Sequence, residues 1–405
     1  MNTGKFIGSC LILIGTTIGA GMLALPLVSG MSGFLWASML MIIVWALMTI
    51  TGLLVLEVNL AMASTACSFS SMADKTIGNC GKIITWITYV LLLYALTAAY
   101  MSGAASLLSE LMHCLLIQIP NFLNAVLFTL ILGGAVFWST KATDYLNRGL
   151  ISIKGLLLIV SFALLSPRIG ANNLLSINRS IEAKYFIGML PIFLCAFGYH
   201  TIIPSLRMYI GDRPRTLAMI IVSGTSISLL IYLLWLAGTL GVVPLVGEHS
   251  FTTLEKNNGA VGELLSTVIL LVHSKWLSAA INGFSDIAMA TSFLGVTLGL
   301  FDFLADGFKR PDTRYGRAQT ALLTFIPPLI FAFCYPRGFI LALNYAAIFI
   351  TILGIILPAL MAYKLRTSNE LKSNYKVFGG NMLLMTVITI GVALIGAQIF
   401  KTAVW

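Results

Sequence analysis

The residues best suited to chemistry in this chain of 405 residues lie inside its apolar runs, where polar groups are hardest to accommodate. The stretch Ile14-Gly15-Thr16-Thr17-Ile18-Gly19-Ala20-Gly21-Met22 puts three glycines and two threonines at the centre of the first such run. Glycine permits backbone angles that interrupt a helix, and an interruption frees N–H and C=O groups that lipid cannot satisfy. A break of this kind is tolerated where it is buried in protein or lines a watery cavity. There, half-helix ends offer a site for a small ion or a zwitterion. The same glycines could instead let a neighbouring helix approach closely.

A second interruption favours the break. Phe197-Gly198-Tyr199-His200-Thr201-Ile202-Ile203-Pro204 ends in a proline with no N–H, whose ring collides with the carbonyl of His200. The helix is therefore predicted to open around Gly198 to Thr201. Lys154 sits about one and a half turns beyond Arg148, either snorkelling to an interface or turned inward as an amine that exchanges a proton beside the first break. Thr291 and Ser292 carry two adjacent hydroxyls that could complete a cation site, although helical hydroxyls commonly bond their own backbone. Asp286 is a carboxylate placed inside a span and is a second candidate proton carrier. Glu57 closes another span and is expected to face water, while His200, one of the substrate-binding candidates, either titrates near physiological pH or, as favoured here, bonds carbonyls freed by its own break. Tyr94, Thr97, Ala98 and Met101 recur at helical spacing and offer one face of small side chains with a tyrosine hydroxyl, suited to lining a pocket for a large apolar group. Hydrolytic or metal chemistry finds no footing: there are four histidines, no HExxH, no serine-nucleophile motif in context and six scattered cysteines without ligand spacing.

The elements that must position these residues are membrane spans. Hydrophobic residues make up 59% of the chain and charged residues 9%, with mean hydropathy +0.97, against roughly 25% charged in a soluble domain. The net charge of +10 reflects loop lysines and arginines and not affinity for nucleic acid. At about 20 apolar residues per crossing, eleven spans are predicted, near 6–29, 34–58, 84–112, 121–139, 149–166, 185–210, 216–241, 276–301, 317–335, 338–363 and 380–402. The first run is too long for a signal sequence and is read as an uncleaved span. The longest connection, 242–275, contains an apolar portion, Val261 to Val272, expected to lie as a helix against the outer surface.

Most of the 24 lysines and arginines fall at Lys5, Lys75, Lys82, Lys141, Arg148, Lys154, Arg207–Arg215, Lys309–Arg317 and Lys364–Lys376, all on the side of the N-terminus. The other side holds few, such as Arg168, Arg179 and Lys401, so a cytoplasmic N-terminus and a periplasmic C-terminus are expected. Breaks in spans 1 and 6 imply two five-span units of opposite orientation, 1–166 and 167–365, followed by an additional helix in 366–405.

The wording of the motifs supplies a further expectation. Gly15-Thr16-Thr17-Ile18-Gly19-Ala20-Gly21-Met22, Phe197-Gly198-Tyr199-His200 and Ala290-Thr291-Ser292-Phe293-Leu294-Gly295-Val296 resemble the first, sixth and eighth helices of the bacterial hydroxy/aromatic amino acid permeases. The segments Tyr94–Tyr100, Phe284–Asp286 and Tyr335–Phe339 are closer to tyrosine-specific members. The FGYH wording and Glu57-Val58-Asn59-Leu60 share features with tryptophan-specific ones. The resemblance implies an all-α integral membrane protein of the LeuT type, 5+5 inverted helices plus one. It also implies proton-coupled import of an aromatic amino acid, tyrosine foremost, across a bacterial inner membrane, with the proton as coupling ion and no other cofactor. On this reading the substrate carboxylate meets N–H groups at Thr17, Gly19, Ala20 and Gly21, and the ammonium meets carbonyls at Gly15, Thr16, Phe197 and Gly198. The ring lies near Tyr94, Thr97, Tyr199 and Val296, and coupling involves Lys154, Thr291, Ser292 and Asp286. A tryptophan- or phenylalanine-preferring carrier and a sodium-coupled one are alternatives within the class. A channel or an intramembrane enzyme is the alternative outside it.

Overall fold

The computed structural model describes residues 3–65, 67–114, 119–175, 183–257, 259–311, 313–368 and 373–404. Arg179 and Lys372, both part of the charge bias, lie outside the described residues, and the side chains of Lys141 and Lys401 are likewise outside them. Every regular element among the described residues is helical. Ten helices are long and apolar enough to cross a membrane, and a bent pair makes an eleventh. An α-helix satisfies its own backbone groups, which is why these apolar sequences take that form.

Span 1 is the bent pair, Thr3–Thr17 and Gly21–Ser29, which meet at 55°. Spans 2 to 5 are Phe34–Ala61, Asn79–Cys114, Asn121–Trp138 and Thr140–Leu165. Span 6 runs as Ala183–Ala196, opens at residues 197–199, and resumes through a 3-10 turn, His200–Ile202, into Ile203–Ile210. Spans 7 to 9 are Pro214–Val242, Lys275–Gly307 and Arg314–Cys334. Span 10, Phe339–Thr367, contains a π-helical turn at Ile352–Ile356, and span 11 is Gly380–Val404.

On the face opposite the N-terminus the bundle is capped by the connection between spans 7 and 8. Its helix Val261–Val272 lies over span 3, where the Gly262 N–H donates to Ser106 Oγ at 3.2 Å. Gly262 is required there, because a Cβ would stand 2.8 Å from the Ser106 carbonyl oxygen. Phe251, from the same connection, presses on Gly30 at the end of span 1, leaving no room for a side chain.

The N-terminal face is held by two buried arginines. Arg207 is 2% exposed; it donates to Asp212 at 2.6 Å, to the Met62 carbonyl at 3.0 Å and to the Asn59 carbonyl, tying the end of span 6 to the end of span 2. Glu57 does not face water, contrary to expectation. It is 1% exposed and is held bidentately by Arg366 at 2.7 Å through both oxygens, with a further bond from the Val377 N–H at 2.8 Å. Arg366 also donates to the carbonyls of Val377 and Gly380, so one ion pair joins span 2, span 10 and the start of span 11. Paired geometry of this kind satisfies the guanidinium fork and the carboxylate together.

Removing one member of a buried pair leaves the other charge uncompensated, at a cost of about 3–5 kcal/mol. Glu57→Ala should therefore lower resistance to unfolding in detergent far more than a surface Glu→Ala change. Thermal unfolding of the purified variant checks this, and an unchanged transition would contradict it.

Candidate functional site

The two breaks meet in the middle of the bundle, and the satisfaction of their backbone groups defines the site. At the first break the carbonyls of Gly19 and Ala20 accept from Met22 and Leu23 at 3.1 and 3.0 Å, starting the second half-helix. The Thr17 carbonyl is reached by the hydroxyl of Tyr232 on span 7 at 2.7 Å, and the Ala196 carbonyl of the second break by the same hydroxyl at 2.8 Å. One phenolic hydrogen thus serves both interruptions. Tyr232 is fully buried, and its ring meets Phe197 edge-on at 5.3 Å between centroids. Phe197 therefore packs behind the break and does not line the open space.

The Ile18 carbonyl takes a bond from Lys154 Nζ at 2.9 Å, and the same ammonium donates to Thr291 Oγ1 at 3.4 Å. Lys154 is 5% exposed, so it does not snorkel. Thr291 turns its own hydrogen to the Ala288 carbonyl. Ser292 Oγ accepts from the Ala20 N–H at 2.8 Å. Among the described residues, no protein group pairs with the N–H of Gly19 or Gly21, or with the carbonyl of Gly15 or Thr16.

These four residues border a cavity of about 640 Å³. Its walls are Leu11 and Ile12 of span 1, Tyr89, Leu92, Leu93, Leu96 and Tyr100 of span 3, and Asn147, Ile151 and Lys154 of span 5. Span 6 contributes Cys195, Gly198 and His200, span 8 Thr291, Ser292, Gly295, Val296 and Gly299, and span 10 Leu343, Ile350, Leu353 and Gly354. Spans 1, 3 and 5 run away from the N-terminal face and span 8 runs back to it. Leu11, Tyr89, Asn147 and Gly299 therefore mark a passage from the breaks toward that face.

The expected site residues divide accordingly. Gly15, Thr16, Thr17, Gly19, Gly21, Lys154, Gly198, His200, Thr291, Ser292 and Val296 all border the cavity. Ala20 is buried beside it, its N–H committed to Ser292. Tyr94 and Thr97 are not brought to it: the Tyr94 hydroxyl donates to the Leu323 carbonyl of span 9 at 2.8 Å, and Thr97 is fully buried, bonding back to Leu93 at 2.8 Å. The face of span 3 that borders the cavity carries Tyr89, Leu92, Leu93, Leu96 and Tyr100, rotated from the small-residue face. Tyr199 is buried against span 2, where its hydroxyl donates to the Met48 carbonyl at 3.0 Å over Gly52. His200 bonds Thr51 of span 2 at 2.8 Å and not the carbonyls of its own break. Asp286 lies on an exposed stripe of span 8 outside the cavity. Tyr232 had no signal in the sequence, being one apolar-flanked tyrosine among 13.

A bundle with two interrupted spans and a buried site at their meeting point is the architecture of a secondary transporter. The structure resembles a crystal structure of a manganese transporter from Eremococcus coleocola, with a TM-score of 0.63, 16% identity, and coverage of 98% of this chain and 87% of that one. A model of the tryptophan/tyrosine permease family matches residues 2–398. The chain is 37% identical over 389 residues to tyrosine-specific transport system 1 of Haemophilus influenzae, covering 96% of this chain and 95% of that protein. It is 34% identical over 408 residues to a tryptophan-specific transport protein of Pseudomonas aeruginosa, covering 99% and 96%. The low affinity tryptophan permease of Escherichia coli is 34% identical over 392 residues, covering 95% and 93%. The chain belongs to the tryptophan/tyrosine permease family and is a multi-pass membrane transport protein, not an enzyme.

A side chain at Gly19 would stand 2.7 Å from Ser292 Oγ and crowd the unpaired N–H groups. Gly19→Val should abolish binding of the transported ligand while the protein still inserts. Ligand binding to the purified variant at wild-type affinity would contradict the location of the site.

Proposed function

We propose that the chain is a proton-coupled symporter importing an aromatic amino acid, tyrosine foremost, across a bacterial inner membrane. The N-terminus is then cytoplasmic, the C-terminus periplasmic, and the cavity faces the cytoplasm. The chain divides as 1–166 and 167–365, two inverted five-span units, with an additional helix in 366–405. Relatives described as tyrosine- and tryptophan-specific support the substrate class.

The observation that carries the coupling is the Lys154 ammonium, held between the Ile18 carbonyl of the first break and Thr291 of span 8. A fixed cation there links the interrupted span to its neighbour, as a bound metal cation would in a sodium-coupled carrier. Ser292, the second hydroxyl such a carrier would need, already accepts from the Ala20 N–H.

The unpaired N–H groups of Gly19 and Gly21 suit a carboxylate at the positive end of the second half-helix, and the unpaired carbonyls of Gly15 and Thr16 suit an ammonium. A zwitterion therefore needs no acidic side chain in the cavity. The ring occupies the apolar space between Leu93, Leu96, Val296, Ile350 and Leu353. Protonated Lys154 holds the break closed on span 8. Loss of its proton into the cavity removes a charge-assisted bond of about 1.5–3 kcal/mol and loosens the site for release. The membrane potential favours inward passage of the added charge by about 2.3 kcal/mol per 100 mV.

Lys154→Ala should abolish accumulation of labelled tyrosine driven by an imposed pH gradient in proteoliposomes while leaving exchange across equal solutions. Gradient-driven accumulation by this variant would overturn the coupling role.

A further inference from the structure

The cavity wall contains a ring nitrogen for which neither the fold nor the coupling gives a use. His200 is 3% exposed and lies at the cavity wall. Its Nε2 is 2.8 Å from Thr51 Oγ1, and the Thr51 hydroxyl lies 3.1 Å from the Met48 carbonyl, to which it donates. A hydroxyl has a single hydrogen, so with that hydrogen directed to Met48 the Thr51 oxygen accepts from His200. Nε2 therefore carries the hydrogen of the uncharged ring, and Nδ1 is left with a lone pair. This assignment follows from the hydrogen-bond pattern, as imidazole tautomers must.

The Nδ1 edge has no donor among the described residues and is turned toward Gly354. A Cβ at Gly354 would stand 3.2 Å from Nδ1 and 3.3 Å from Cε1, so any side chain there would cover that edge. Gly354 belongs to the π-helical turn Ile352–Ile356, a local departure from α-geometry of the kind that recurs at functional sites. The stacked Tyr199 ring, 4.8 Å away, holds the imidazole plane in place from the other side. The result is a fixed hydrogen-bond acceptor in the cavity wall, with the apolar Ile350 and Leu353 lining the same cavity.

We infer that His200 Nδ1 accepts the hydrogen bond of a donor on the substrate ring, so that the site selects aromatic amino acids carrying a ring O–H or N–H over phenylalanine. The inference rests on the aromatic amino acid reading above and adds to it the chemistry by which the ring is read. An apolar ring would desolvate Nδ1 without replacing its partner, a penalty corresponding to a loss of affinity of about tenfold or more.

The test is competition binding on the purified full-length chain in proteoliposomes with tyrosine, tryptophan and phenylalanine. Wild type should bind tyrosine and tryptophan at least about tenfold more tightly than phenylalanine. His200→Phe, which keeps a flat ring and removes the acceptor, should bring the three within about twofold of one another. Gly354→Ala, which covers the edge and leaves Thr51 untouched, should shrink the same ratio. Equal wild-type affinity for phenylalanine and tyrosine would overturn the inference and leave the aromatic reading intact. A ratio unmoved in both variants would do the same. Failure of wild type to bind any of the three would overturn the reading itself.

Discussion

Everything in this structure turns on one constraint: a helix interrupted inside a membrane must find partners for the backbone groups that the interruption frees. The chain meets most of that need with three side chains from three different spans. Tyr232 serves a carbonyl at each break, Lys154 serves Ile18, and Ser292 serves the Ala20 N–H. At the first break, two N–H groups and two carbonyls between Gly15 and Gly21 remain without partners among the described residues, and those residues border the cavity. The polarity of these groups matches the two ends of an amino acid.

The same constraint explains why charged side chains are so few and so firmly held. Glu57 and Arg366, and Arg207 with its carbonyls and Asp212, bind span ends to one another on the N-terminal face. Lys154 alone among the cationic groups on the described spans faces the cavity, and it does so beside a break. On the opposite face, closure relies on close apolar contact, Phe251 on Gly30 and the Val261–Val272 helix on span 3. Polar anchoring on one face and apolar capping on the other leave the passage directed to the N-terminal face.

Much of this was legible in the sequence because glycine and proline advertise backbone behaviour locally. The positions of both breaks, the eleven spans, and the pairing of Lys154 with the first break and Thr291 could be argued from residue type and spacing. The inward face of span 3 could not. In a helix apolar on all sides, periodicity carries little signal, and the small residues expected to form a pocket wall serve packing: Thr97 is fully buried and Ala98 is buried, neither bordering the cavity. The cavity wall is built from bulky leucines and two tyrosines. The burial of Glu57 has no local signal, because its partner is 309 residues away. For His200, sequence proximity points to the carbonyls of its own break, whereas packing brings Thr51 of span 2 to its ring. Asp286 drew attention as a carboxylate in an apolar run, yet the turn of span 8 carries it outside the cavity.

The central claim is that the unpaired backbone groups of the first break hold the two ends of the substrate. An experimental structure of the chain with tyrosine bound tests it most directly. The account predicts the carboxylate within hydrogen-bond distance of the Gly19 and Gly21 N–H groups and the ammonium against the Gly15 and Thr16 carbonyls. Density for the ligand elsewhere, with those four groups still unpaired, would contradict it.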